Sequence, residues 1–216
     1  MSIRCPMPSA GVVILALVGL VILTGDAMAD LIVNGDFQSG ASGFSSDYTF
    51  SPGDIGAPST YDVVGDPSDS NPYALSYYDH TYGTESGAML AVNGREFTSD
   101  PNGVWSQTVS VAPSQVYLLS IWYSRWFDGP WSASLYVNDD LLLSLFADSQ
   151  AVGEWKQASA SWASGEETTA TILVTNPYAA FLGNDFALDD ISFIPVSAST
   201  DELGPMAWGR LKALFR

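Results

Sequence analysis

Cysteine is almost missing from this chain: Cys5 is the only one, so residues 30–216 contain none and no disulfide can staple them. Basic charge is scarce too. Seven Lys and Arg stand against 24 Asp and Glu, a formal net charge of −17, which excludes recognition of nucleic acid or anionic lipid through a broad electrostatic surface. The single histidine, His80, lacks the further residues that a zinc site or a Ser-His-Asp system requires, and is read as structural or ligand-contacting. There is no nucleophile elbow, phosphate loop or metal-hydrolase motif. Carboxylates are abundant, but glycoside hydrolysis needs a pair at a set separation, which abundance cannot establish. The apolar run at residues 11–24 is fourteen long, short of the roughly 20 that a membrane-spanning helix needs.

That run follows one basic residue, Arg4, and precedes Ala27-Met28-Ala29, a small-x-small cleavage signature. It predicts a secretory signal over residues 1–29, cleaved after Ala29, and a secreted or cell-surface protein. A retained anchor is the other reading. Residues 30–196 then form one domain whose stability rests on its core, and 47% apolar composition with seven Trp, ten Tyr and ten Phe can supply one.

The pattern along that domain is of strands separated by polar turns. Strands are expected at residues 31–33, 48–50, 59–64, 104–111, 115–125, 132–137, 141–146, 154–162, 168–175 and 186–194, with no sustained helical period between them. Such a series implies an all-β fold, an antiparallel two-sheet sandwich. Residues 65–87 form a long polar segment carrying Tyr73, Tyr77, Tyr78, His80 and Tyr82, and the tyrosines favour an ordered loop.

Strand alternation sorts the aromatic residues. Tyr117, Leu119, Ile121 and Tyr123 share one face, and Leu118, Ser120, Trp122, Ser124 and Trp126 the other. Likewise Ala133, Leu135 and Val137 oppose Ser132, Ser134 and Tyr136. With the aliphatic faces inside, Trp122 and Tyr136 point outward among serines, a surface suited to the C–H faces and hydroxyls of a sugar. The alternative is that residues 65–87 cover these rings as a second small core. Trp155 and Trp162 are assigned to the core or its edge, and Trp126 and Trp131 to a hairpin turn or rim.

Asn184-Asp185-Phe186-Ala187-Leu188-Asp189-Asp190-Ile191-Ser192-Phe193 pairs carboxylates with a strand pattern. Strict alternation puts one of Asp189 and Asp190 on the better-buried face, where a carboxylate needs a hydrogen-bonding, ionic or metal partner. This stretch resembles the last strand of carbohydrate-binding-module jelly rolls, the galactose-binding-like fold. Asn34-Gly35-Asp36-Phe37-Gln38 resembles their first strand, and Val104-Trp105-Ser106-Gln107 and Tyr117 to Trp122 follow in the same order. The resemblance implies a structural Ca²⁺ near the ends of these two strands, with Asp36, Gln38, Asp189 and Asp190 as its ligands, although Gln38 stands where the family has Glu. The other reading gives Asp189 and Asp190 to loop capping and backbone hydrogen bonds.

The resemblance implies a non-catalytic module that attaches to an extracellular polysaccharide or glycan. Its site would be Trp122, Tyr136 and Trp126, with loop contacts from Tyr77 and Tyr78. A structural or adhesive envelope or matrix protein is the alternative, and a glycoside-active enzyme the third. Residues 197–216 read as a linker and a basic amphipathic segment, a short helix or a disordered tail, with residues 201–216 the candidate contact to an envelope or export component.

Overall fold

The structure, a computed structural model, describes residues 29–146, 150–180 and 182–196. The expected signal segment and the basic tail lie outside these residues, Ala29 apart.

Among the described residues ten strands account for nearly all the regular structure: β1 (Thr49–Phe50), β2 (Thr60–Val64), β3 (Met89–Asn93), β4 (Gly103–Ser110), β5 (Val116–Arg125), β6 (Ser132–Val137), β7 (Asp140–Phe146), β8 (Lys156–Ala163), β9 (Thr169–Thr175) and β10 (Asp185–Pro195). They make a six-stranded sheet in the order β1-β2-β3-β10-β5-β8 and a four-stranded sheet in the order β4-β9-β6-β7. Every pairing is antiparallel except β1 with β2. The fold is the expected all-β sandwich, with most strand ends within two residues of their sequence-based positions.

Alternation explains the layer between the sheets. Tyr117, Leu119 and Ile121 of β5 and Phe186 and Leu188 of β10 meet Leu135 and Val137 of β6 and Ile172 and Val174 of β9, all buried. Rings close the two ends of this core. Phe193 stacks on Tyr117 at 4.9 Å between centroids, and Trp131 stacks on Phe186 at 5.1 Å. Each such side chain contributes about 1.5–3 kcal/mol by leaving water, so the interior replaces the absent disulfides. Trp131 and Trp162 belong to this core, whereas Trp155 is half-buried outside it.

Two local expectations fail. Residues 31–33 form no strand; Leu31 donates one backbone bond to the Phe193 carbonyl, and the Asp30 carboxylate accepts the N–H groups of Ile32 and Phe193. Nor does β10 keep strict alternation. Between Asp189, opposite Trp122, and Ser192, opposite Ser120, it holds one residue more than β5. This bulge puts Asp190 at φ +45° and returns Ile191 and Phe193 to the core beside Phe186 and Leu188. Ala187 and Asp189 therefore share the outer face. Gly35 packs on the bulge so closely that a Cβ there would lie 1.9 Å from the Ile191 carbonyl oxygen, which excludes any side chain.

Candidate ligand site on the outer face of the six-stranded sheet

The outer face of the six-stranded sheet carries a second layer. Ile55 and Trp126 pack on Met89, Ala91 and Ala187, with Tyr77, Phe127 and Trp155 around them. Ala91 and Ala187 are directly opposed between β3 and β10, and their small side chains leave room for the indole above. The long polar segment is ordered by its own carboxylates. Asp79, buried, accepts the N–H groups of Tyr82 and Gly83, and Asp66 accepts that of Ser68 at the start of a 3₁₀ turn. Leu75 N–H donates to the Trp126 carbonyl at 3.1 Å, which ties the segment to the end of β5.

At the bulge, Asp189 anchors this layer. Its buried carboxylate accepts His80 N–H at 2.8 Å and Thr81 N–H at 3.2 Å, and also the Asp190 N–H. Burial first, and then the neighbouring Asp190 charge, raise Asp189 to about 7. The His80 ring lies parallel to Trp122 at 3.6 Å between centroids, and its Nδ1 is 2.6 Å from Asp190 Oδ2. His80 holds a loop onto a tryptophan.

These contacts redistribute the expected sites. Trp122 lies beneath His80, and Trp126 is 1% exposed with its indole N–H on the Val92 carbonyl at 3.1 Å. Tyr77 turns inward against Trp155, burying its hydroxyl, while Tyr78 stays partly exposed with its hydroxyl on Glu85. Tyr136 belongs to β6, in the other sheet, so it and Trp122 cannot contact one ligand across the sandwich. Single-sequence alternation gives inside and outside of a sheet but not which sheet.

Of the expected calcium ligands, Asp36 and Asp190 line one cavity of about 280 Å³ together with Asp30 and Asn34, while Gln38 and Asp189 do not reach it. Asp189 is occupied by loop amides and Asp190 by His80 and the Thr81 hydroxyl, while the Gln38 amide donates to the carbonyls of Asp36 and Ala88. Among the described residues no group of three or more His, Cys, Asp or Glu is arranged to hold a metal ion. The side-chain oxygens of Asp36 and Asp190 are by themselves fewer than the six to eight that Ca²⁺ takes. The backbone-accepting role fits Asp189.

A cavity of about 270 Å³ opens at the other end of this face. Asn93 and Asp185, opposite each other in the β3–β10 ladder, stand on its sheet side, and Asn71, Tyr73, Trp126 and Phe127 complete the lining. The Asn71 and Asn93 side-chain amides both donate to the Ile55 carbonyl, at 3.2 and 2.7 Å, which fixes their orientation. Asp185 Oδ1 accepts Gly94 N–H at 3.2 Å, and burial raises this carboxyl to about 7. Tyr73 and Leu182, 79% and 68% exposed, flank the opening. The wall beside Phe127 depends on contact between two glycine backbones: a Cβ on Gly129 would lie 2.3 Å from Gly183 Cα. Such a cavity can cover an apolar face with rings while a carboxyl and two amides hold polar groups.

Of the expected ligand residues only Trp126 reaches this cavity. Asn71, Tyr73, Asn93, Phe127 and Asp185 were not singled out as binding residues. Asp185 lay within the Asp-rich stretch that drew attention, two places before Ala187 on the same face.

The architecture is that of a two-sheet jelly-roll sandwich. No family model and no curated relative matches the chain. Among solved structures it is similar to a cyclase from Fischerella sp. TAU in complex with 4-(1H-indol-3-yl)butan-2-one, with a TM-score of 0.53, 15% identity, and coverage of 80% of this chain and 100% of that one. The tandem CBM22 domains of Paenibacillus barcinonensis Xyn10C match with a TM-score of 0.48 at 14% identity, over 84% of this chain and 49% of theirs. A family 16 carbohydrate-binding module matches with a TM-score of 0.44 at 17% identity, over 76% of this chain and 99% of that one. Carbohydrate-binding modules thus stand among the structural neighbours, as cyclases do, and at these identities the likeness is one of fold.

Proposed function

We propose that this protein is an exported carbohydrate-binding module that attaches to an extracellular polysaccharide or glycan, with the Asp185 cavity as its binding site. The observation that carries this reading is the cavity's lining, in which the aromatic residues Tyr73, Trp126 and Phe127 meet Asp185, Asn71 and Asn93. Sugars present both chemistries at once, C–H faces that pack on rings and hydroxyls that bond to carboxyl and amide groups. At about 270 Å³ the cavity falls just below the usual 300–1,000 Å³ of small-ligand sites, a size for one sugar unit, at a chain end or branch. Among the described residues Asp185 is the one carboxyl lining it, and since glycosidases work with two flanking the scissile bond, the lining supports binding over hydrolysis.

The test is binding of the purified protein to a glycan and polysaccharide panel, with product analysis for cleavage. Saturable binding that Tyr73→Ala weakens at least about tenfold supports this site. Binding that Tyr73→Ala leaves unchanged removes the ligand from the cavity, and no binding to any sugar overturns the reading. A second reading, an adhesive or structural protein of the envelope, draws on the opposite sheet, where Tyr136 stands against Leu141 and both Leu141 and Phe146 are more than half exposed. Protein partners retained through that face, and lost with Leu141→Ser, would favour it.

A further inference from the structure

Three aromatic residues and one carboxyl line the cavity, and among the described residues no Lys, Arg or His does. Asp185 takes part in neither ion pair recorded among the described residues, His80–Asp190 and Arg125–Asp128, and its recorded hydrogen bond is the long one from Gly94 N–H. A partly buried carboxyl without a cationic neighbour is a site that a cation completes. The rings act in the same sense, since the faces of Trp, Tyr and Phe attract ammonium groups through their quadrupoles. The surface potential adds to this, because a chain of net charge −17 draws cations and repels anions.

Resting on the binding role proposed above, we infer that the cavity selects a sugar bearing a free ammonium group, an amino sugar that is not N-acylated, with the ammonium on Asp185 and its ring against Tyr73. An acyl group on that nitrogen removes the charge and adds bulk that the cavity has little volume to take. Acidic sugars are disfavoured twice, by Asp185 and by the net charge. A carboxyl raised by burial is one that a cation placed on it returns to the charged form.

Calorimetric titration at pH 7 with matched oligosaccharides tests the inference. The probes are fully deacetylated glucosamine oligomers, their N-acetylated counterparts, neutral glucose oligomers of equal length, and benzyltrimethylammonium as a cation without a sugar. Expected is a preference of about tenfold or more for the deacetylated oligomer over both uncharged ones. Asp185→Asn should bring that ratio near one, and Tyr73→Ala should weaken binding with the melting temperature kept. Equal affinity for charged and uncharged oligomers overturns the inference and leaves the sugar-binding reading standing. A preference that survives Asp185→Asn overturns it as well. Binding of benzyltrimethylammonium with no binding of any oligosaccharide overturns the sugar reading and, with it, the amino sugar as ligand.

Discussion

The two outward faces of this sandwich start from the same sequence pattern and end differently. On the four-stranded sheet, Tyr136 stands between Leu141 and Leu173 of the neighbouring strands, and the hydroxyls of Thr108 and Thr171 are joined across β4 and β9 at 2.8 Å. On the six-stranded sheet, Trp122 alternates with serines, yet His80 lies flat on it and a second layer continues over Ala91 and Ala187 to Trp126. Alternation tells which side of a strand a residue takes. Whether that side meets water depends on a loop that its own Asp79 folds and that Asp189 of β10 anchors to the sheet.

Truncating the residue on which the second layer rests should separate the faces most sharply. Trp126→Ala is expected to cost about 3–5 kcal/mol in denaturant unfolding and to abolish ligand binding at the cavity. If the cost were below about 1 kcal/mol, the second layer would be decoration and not core. Next in size, Asp189→Ala should cost about 1–3 kcal/mol and raise amide exchange at residues 79–84, leaving β6 and β9 protected; unchanged exchange would remove Asp189 as the loop's anchor.

The covered face also gives the protein a pH dependence that the open one does not supply. Asp185 and Asp189 are raised from 3.8 to about 7 by burial, so the folded protein keeps protons that the unfolded chain has lost. Their contribution to stability is fully present below about pH 4 and is lost as pH rises through about 7. Melting temperature, followed from pH 5 to pH 8, should fall through this window and fall less in Asp185→Asn; a slope identical in the variant would exclude Asp185 as its source. The smallest effect is expected on the open face, where Leu141→Ser should change stability by about 0.5 kcal/mol or less and leave glycan affinity unaltered. Altered affinity there would move the site to the other sheet.

Most of the scaffold was legible in the sequence because a strand's burial pattern is local. The two-residue period of β5 and β6, and turn residues such as Asn138 at φ +52°, fix strands without knowledge of their neighbours. The site was less legible because it is assembled from distant pieces: Asn71 and Tyr73 from the long loop, Asn93 from β3, Trp126 and Phe127 from the end of β5, and Asp185 from β10. One extra residue in β10 was enough to part Ile191 from Asp189, which strict alternation places on one face, and to bring Ile191 into the core in place of Asp190. No single-sequence period reports an inserted residue.

The chain enters and departs the sandwich at one pole. Leu31 is bonded to Phe193, and Val196 N–H to the Val116 carbonyl, whereas Asp185 opens the same strand at the opposite end, about 30 Å away at 3.3 Å per residue. A tether, matrix or fusion partner joined through either flank would meet the domain at the pole opposite Asp185.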